Sequence, residues 1–99
     1  MNTYMIFSFD VADAEQFAPY GKAVMPVILK HHAEVLVADF GGKNLEGESR
    51  GTYAILKFRS EEEAMAFYND PEYAPLKKLR METTVNSTIT LTKEFVRPA

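Results

Sequence analysis

The amino-acid sequence predicts an α+β domain of the ferredoxin-like β-α-β-β-α-β type, and three observations carry that prediction. Four apolar or alternating runs, at 3–9, 34–40, 52–58 and 87–95, have the length and pattern of strands. The stretches between the first and second runs, and between the third and fourth, bring apolar residues back at three- and four-residue spacing behind capping signals, as helices do. The first and third runs are also the most apolar. Those are the strands this chain order places at the sheet centre, with the second and fourth at its edges. A chain of 99 residues is short enough to be a single domain, 1–99.

The first run, T-Y-M-I-F-S-F at 3–9, is almost uniformly apolar or aromatic, which suits a central strand covered on both faces. Asp13 with Gln16 three residues on has the pattern of a capping box that opens a helix. Phe17, Tyr20, Val24, Val27, Ile28 and His31 then form one stripe of an amphipathic helix over roughly 14–32. Pro19 and Pro26 each remove a backbone donor, so this helix is expected to be bent or in two pieces.

The second run, E-V-L-V-A-D-F at 34–40, leads into a glycine-rich loop, Gly41-Gly42 to Gly51, able to adopt the positive φ angles of a reversal. The third, T-Y-A-I-L-K-F at 52–58, is again nearly solid with apolar residues. Ser60 with Glu63 is a further capping box, in which the hydroxyl and the carboxylate each satisfy a backbone N–H. The acidic run 61–63 complements the helix dipole that follows. Asp70-Pro71 marks a corner crowded by Phe67, Tyr68 and Tyr73, and a second helix then ends in Lys77, Lys78 and Arg80. In the fourth run Thr88, Thr90 and Thr92 alternate with Ile89, Leu91 and Lys93, the period-two pattern of a half-exposed strand.

Two helices cover one face of a four-stranded sheet. The first run nevertheless offers Tyr4, Ile6 and Ser8 to one face and Met5, Phe7 and Phe9 to the other. The third offers Tyr53 and Ile55 opposite Ala54, Leu56 and Phe58. An apolar patch of that size is unusual on a monomer, so the pattern predicts a twofold homodimer joined sheet face to sheet face.

Composition excludes several classes. A formal charge of −3 argues against nucleic acid, which requires a basic face. Without cysteine there is neither a disulfide nor a thiolate nucleophile. Segment 1–9 lacks a basic leader region and is too short and too closely followed by acidic residues to serve as a membrane span or targeting peptide. The expectation is a cytoplasmic protein with no membrane partner. No phosphate loop or dinucleotide fingerprint appears, and no two-histidine-plus-carboxylate spacing, so neither a cofactor nor a metal is expected.

The stretch F-Y-N-D-P-E-Y…L-K-K-L-R resembles the uncharacterised domain-of-unknown-function family 1330, of the dimeric α+β barrel superfamily. Tyr68, Pro71, Glu72, Tyr73 and Arg80 carry the resemblance most specifically. Residues 10–13, Tyr20, Pro26 and Glu46-Gly47 extend it over nearly the whole chain. Family members usually carry a Gly-Gly turn after the first helix, where this chain reads His31-His32-Ala33. The resemblance implies an architecture shared with cofactor-free monooxygenases, isomerases and haem-handling enzymes that use a cavity between sheet and helices.

Arg80 follows Tyr73 by two helical turns on the same face, with Lys77 between. A guanidinium there is either an anion clamp, with paired donors for a carboxylate, or one of several cations favoured at a helix C-terminus. Glu46 is either a base that pairs with Arg80 across a cavity mouth or a solvated loop carboxylate. His31 continues the apolar stripe as a pocket acid/base or as a structural histidine at a helix end. Tyr20, Tyr68 and Tyr73 are candidate ligand-binding groups, with core packing as the alternative. The combined expectation is a homodimeric small-molecule-binding domain. It acts either as a cofactor-free acid/base or monooxygenase-like enzyme on a small organic molecule, acidic or not, with Arg80, Glu46 and His31 as catalytic groups, or as a non-catalytic binding or scaffold dimer.

Overall fold

A computed structural model of the chain describes residues 1–48 and 50–98. The elements run β1 (Thr3–Val11), α1 (Ala14–Phe17), α2 (Pro19–Lys30), β2 (Glu34–Asp39), β3 (Thr52–Phe58), α3 (Glu61–Tyr68), α4 (Ala74–Thr83) and β4 (Thr84–Lys93). The sheet is antiparallel throughout in the order β2-β3-β1-β4. The two most apolar strands are therefore central, and the fold is the ferredoxin-like α+β arrangement. Among the described residues no helix is long and apolar enough to cross a membrane.

Side-chain alternation along β1 sorts the molecule into two faces. Met5, Phe7 and Phe9 point to the helices, and the register sets Met5 between Leu56 and Leu91 and Phe7 between Ala54 and Ile89. Phe17, Tyr20, Val24, Val27 and Ile28 from the first helical pair, and Ala64, Phe67 and Tyr73 from the second, complete this core. The opposite face carries Ile6 between Ile55 and Thr90, Tyr4 between Lys57 and Thr92, and Ser8 between Tyr53 and Thr88. Tyr4, Ile6, Tyr53 and Ile55 remain half-buried and none joins the core, so the helices cover one face of the sheet.

The two prolines of the first helical stretch behave differently from one another. Pro19 starts α2, where the missing N–H would be unpaired in any case, and so divides α1 from α2. Pro26 lies inside α2 without ending it, so the expected two-piece helix is divided at Pro19 alone. Its ring sits on the exposed side, where solvent can serve the carbonyl that loses its partner.

α2 closes one residue before His31. His32 adopts φ 59°, its N–H donates to the Leu29 carbonyl, and the Ala33 N–H donates to the Ile28 carbonyl. This is the paired 6→1 and 5→2 bonding of a Schellman turn, with Ala33 and Ile28 both buried beneath it. The left-handed position that a glycine would fill at no steric cost is held by His32, a conformation uncommon for a residue with a side chain.

β4 begins at Thr84, directly on the end of α4, and stops at Lys93, so it lies earlier in the chain than the alternating run at 87–95 suggests. Its first residues pair with the end of β1 beyond an irregularity between Ser8 and Asp10, beside which Asn86 takes φ 55°. The caps follow the sequence signals in part. Asp13 accepts from the Gln16 N–H, and Ser60 from the Glu63 N–H. The Glu63 carboxylate, however, turns to the Arg59 guanidinium, at 2.6 and 3.0 Å. Only the hydroxyl half of the predicted Ser60–Glu63 box therefore forms. Replacing Ser60 with Ala should lower the free energy of unfolding by about 1 kcal/mol in urea titration, the usual worth of such a cap.

Candidate functional site

Two polar clusters sit between the helices and the sheet, and they differ in how fully their charges are paired. The first is the corner between α3 and α4. Asp70 is 8% exposed, and its side chain accepts the Glu72 N–H at 2.8 Å. The end of α2 brings Lys30 Nζ and His31 Nε2 to the same carboxylate oxygen, each at 2.6 Å, while Lys30 also reaches Glu72. The His31 ring meets Phe67 edge-on. The Lys30 ammonium first, then His31 and the Glu72 N–H, hold the Asp70 carboxyl well below its ordinary value of 3.8. The geometry thus places His31, a candidate acid/base, as a tie between α2 and the corner, and it lines neither the cleft at Arg80 nor the three other cavities described below.

The second cluster is built around Arg80. Tyr20 on α2 and Tyr73, just ahead of α4, are both buried and join their hydroxyls at 2.7 Å. Burial and the neighbouring Tyr73 push the Tyr20 phenol above its ordinary range, so it stays protonated, while Arg80 lies near enough to oppose that rise. Arg80 is 1% exposed. Its Nη1 donates to Ser87 Oγ on β4 at 3.1 Å, and its guanidinium carbon lies 5.8 Å from the Phe7 ring centre. Nε and Nη2 are buried without a hydrogen-bond partner, and among the described residues no carboxylate pairs with this cation.

Arg80, Tyr68, Met81, Ser87 and Ile89 line a cleft of about 360 Å³ between α4 and β4. A further cavity of about 240 Å³ shares Tyr68 and Ile89 with it and continues to Met5, Met65 and Leu91. Lys77 Nζ rests 3.8 Å above the Tyr68 ring. Tyr20 faces a different, almost wholly apolar cavity of about 150 Å³ under α2, and Tyr73 lines neither. Glu46 is exposed in the β2–β3 loop and meets neither Arg80 nor any of these cavities. Another cavity, of about 660 Å³, opens beside α1. Its charged group, Asp10, is already committed to the Gly51 N–H and the Asn86 amide. Among the described residues no three His, Asp or Glu side chains converge as a metal ligand set.

Ser87 and Phe7, the neighbours of Arg80, were not marked by the sequence. Phe7 reads as core, and Ser87 gains its place through the pairing of β4 with β1, which no local pattern specifies. Asp70 read only as a corner residue.

These features define an α+β fold whose open sheet face and sheet–helix cavities lie on opposite sides of one four-stranded sheet. The chain belongs to the domain of unknown function family DUF1330, whose model matches residues 2–93. Among solved structures, a protein of unknown function from Rhodopseudomonas palustris is similar at TM-score 0.82 and 19% identity, over 97% of this chain and 84% of that one. A dimeric ferredoxin-like protein of unknown function from Thermobifida fusca aligns at TM-score 0.66 and 14% identity, over 93% and 90%. SnoaB, a cofactor-independent oxygenase from Streptomyces nogalater, aligns at TM-score 0.67 and 10% identity, over 97% and 95%. At these identities the likeness establishes the fold. No curated protein matches the chain.

The Asp70 cluster has a consequence for acid stability. Because folding lowers the Asp70 pKa, the unfolded chain binds the proton more readily, and the stabilisation is complete only above the ordinary value of 3.8. Melting temperature should therefore fall as pH drops below about 4. Asp70→Asn should melt lower than the parent at pH 7 and lose less on acidification, as followed by circular dichroism.

Proposed function

We propose that this protein is a homodimeric small-molecule-binding domain whose ligand is an organic anion held by Arg80 in the cleft between α4 and β4. The single observation behind this reading is the buried guanidinium, which among the described residues has two donors without a hydrogen-bond partner and no acidic partner. Arginine cannot shed its proton, and a buried charge without a counter-charge is costly, so an anion from outside the chain is the natural complement. The free donors are Nε and Nη2, which lie along one edge of the guanidinium as a parallel fork matched to a carboxylate.

Dimerisation is supported by the apolar centre of the open face, where Ile6 and Ile55 are neighbours across β1 and β3, and by the dimeric state of similar folds. A second copy seated there would lie across the sheet from Arg80, which leaves the guanidinium for a solute. Lysine at Ile6 places a charge at the centre of that face and should halve the mass measured by light scattering at micromolar concentration. An unchanged mass would remove the sheet-face dimer.

The catalytic form of this reading is cofactor-free, oxygen-inserting or acid/base chemistry on the bound acid, and the shared fold of the Streptomyces nogalater oxygenase supports it. The alternative is a non-catalytic binding or scaffold dimer. It is favoured by the Arg80 cleft, whose described lining includes no carboxylate or imidazole to serve as a base. Tyr68 and Arg80 are the proposed ligand groups. Tyr20 and Tyr73 support Arg80 from behind, and His31 and Glu46 remain outside the cleft.

Arg80→Met separates a ligand site from a structural cation. Removing an uncompensated buried charge in favour of a side chain of similar length should hold or raise stability, by about 1 kcal/mol or more. Binding of organic acids should be lost. A variant that melts several degrees lower would instead make the guanidinium part of the scaffold and sink the reading.

A further inference from the structure

Resting on that reading of Arg80, we infer that the ligand is an amphipathic monocarboxylate, with its head on the Arg80–Ser87 end of the cleft and an apolar tail running toward Met5, Met65 and Leu91. The geometry that separates this from a small polar anion is the adjacency of two cavities that have two walls in common. Tyr68 and Ile89 line both the 360 Å³ cleft that contains Arg80 and the 240 Å³ cavity beyond it. Polar groups gather at one end only, where Arg80 already donates to Ser87. The other end presents two methionine side chains and a leucine, with Ile89 and the Tyr68 ring along the way. Methionine suits such a surface because its flexible, polarisable side chain adapts to tails of differing shape.

Charge supports a monoanion. The fork at Nε and Nη2 matches the geometry of one planar carboxylate, and Lys77, another cation of α4, is engaged over the Tyr68 ring 3.8 Å away. A doubly charged phosphate would find a single guanidinium at that end of the cleft. The proposed dimer partner does not complete the site either, since the open face it would cover is the other side of the sheet, carrying Tyr4, Ile6 and Ile55.

The test is a titration of the unmodified dimer with straight-chain carboxylates from acetate to octanoate, and with octanamide, by calorimetry or amide chemical shifts. Affinity should rise by up to about fourfold for each methylene that becomes buried, and octanamide should bind at least tenfold more weakly than octanoate. Met65→Gln changes a partly exposed residue of α3 and should leave the fold intact. It should flatten the dependence on chain length while leaving acetate binding unchanged. Arg80→Gln should abolish binding of every acid, and Arg80→Lys should restore part of it. Equal affinities for acetate and octanoate, both lost in Arg80→Gln, would overturn the apolar tail and leave the anion site standing. Octanoate binding that ignores Arg80→Gln, octanamide binding as tightly as octanoate, or no binding across the series would overturn both.

Discussion

One constraint governs the architecture: successive residues of β1 point to opposite sides of the sheet, and the chain supplies helices for only one of them. Met5, Phe7 and Phe9 are nearly solvent-free because α2, α3 and the Tyr73 corner close over them. Tyr4, Ile6 and Ser8 alternate with those residues and cannot share that cover. The order β2-β3-β1-β4 then repeats the division across the sheet, matching Ile6 with Ile55 on one side and Met5 with Leu56 on the other. A one-residue slip would exchange the two sets, so the apolar core fixes the register of the open face as firmly as its own.

The same division places the charges. Asp70 and Arg80 are both buried and both lie on the helix side of the sheet, yet they are treated in opposite ways. Asp70 has an ammonium, an imidazole and a backbone N–H, and its low pKa records that saturation. Arg80 donates to one neutral hydroxyl, faces the Phe7 ring and lies near the Tyr20 hydroxyl. A buried acid with several donors holds α2 to the corner and contributes to stability. A buried base with unpaired donors costs stability instead.

Much of the fold was legible because its signals are periodic. Strand alternation, the stripe from Phe17 to Ile28, and the Asp13 and Ser60 caps each follow from local geometry. What escaped depended on where two distant segments meet. Pro26 is tolerated inside α2 because that side of the helix faces solvent, which the sequence position alone does not state. Glu63 left its expected partner because Arg59 stands four residues earlier on the adjoining turn. The extra length of β4 at Thr84 follows from its pairing with Val11 across the end of β1. For the site, the spacing of Tyr73, Lys77 and Arg80 brought them to one side of α4, whereas Ser87 reaches Arg80 only through strand pairing. The link from His31 to Asp70 spans 39 residues and has no local signature.

The Schellman turn after α2 joins these levels. A turn with His32 at φ 59° is harder to form than one with glycine there, and the added cost is borne by contacts made on either side of it. Ala33 and Ile28 are buried beneath the turn, and His31, at its start, is bonded to Asp70. Holding that turn fixes the end of α2, and through α2 it fixes Tyr20. The Tyr20 hydroxyl meets Tyr73, one turn before Lys77 and two before Arg80. The saturated cluster at Asp70 thus anchors the helix that backs the unsaturated one at Arg80, so a fully paired corner supports a cation that no carboxylate pairs among the described residues.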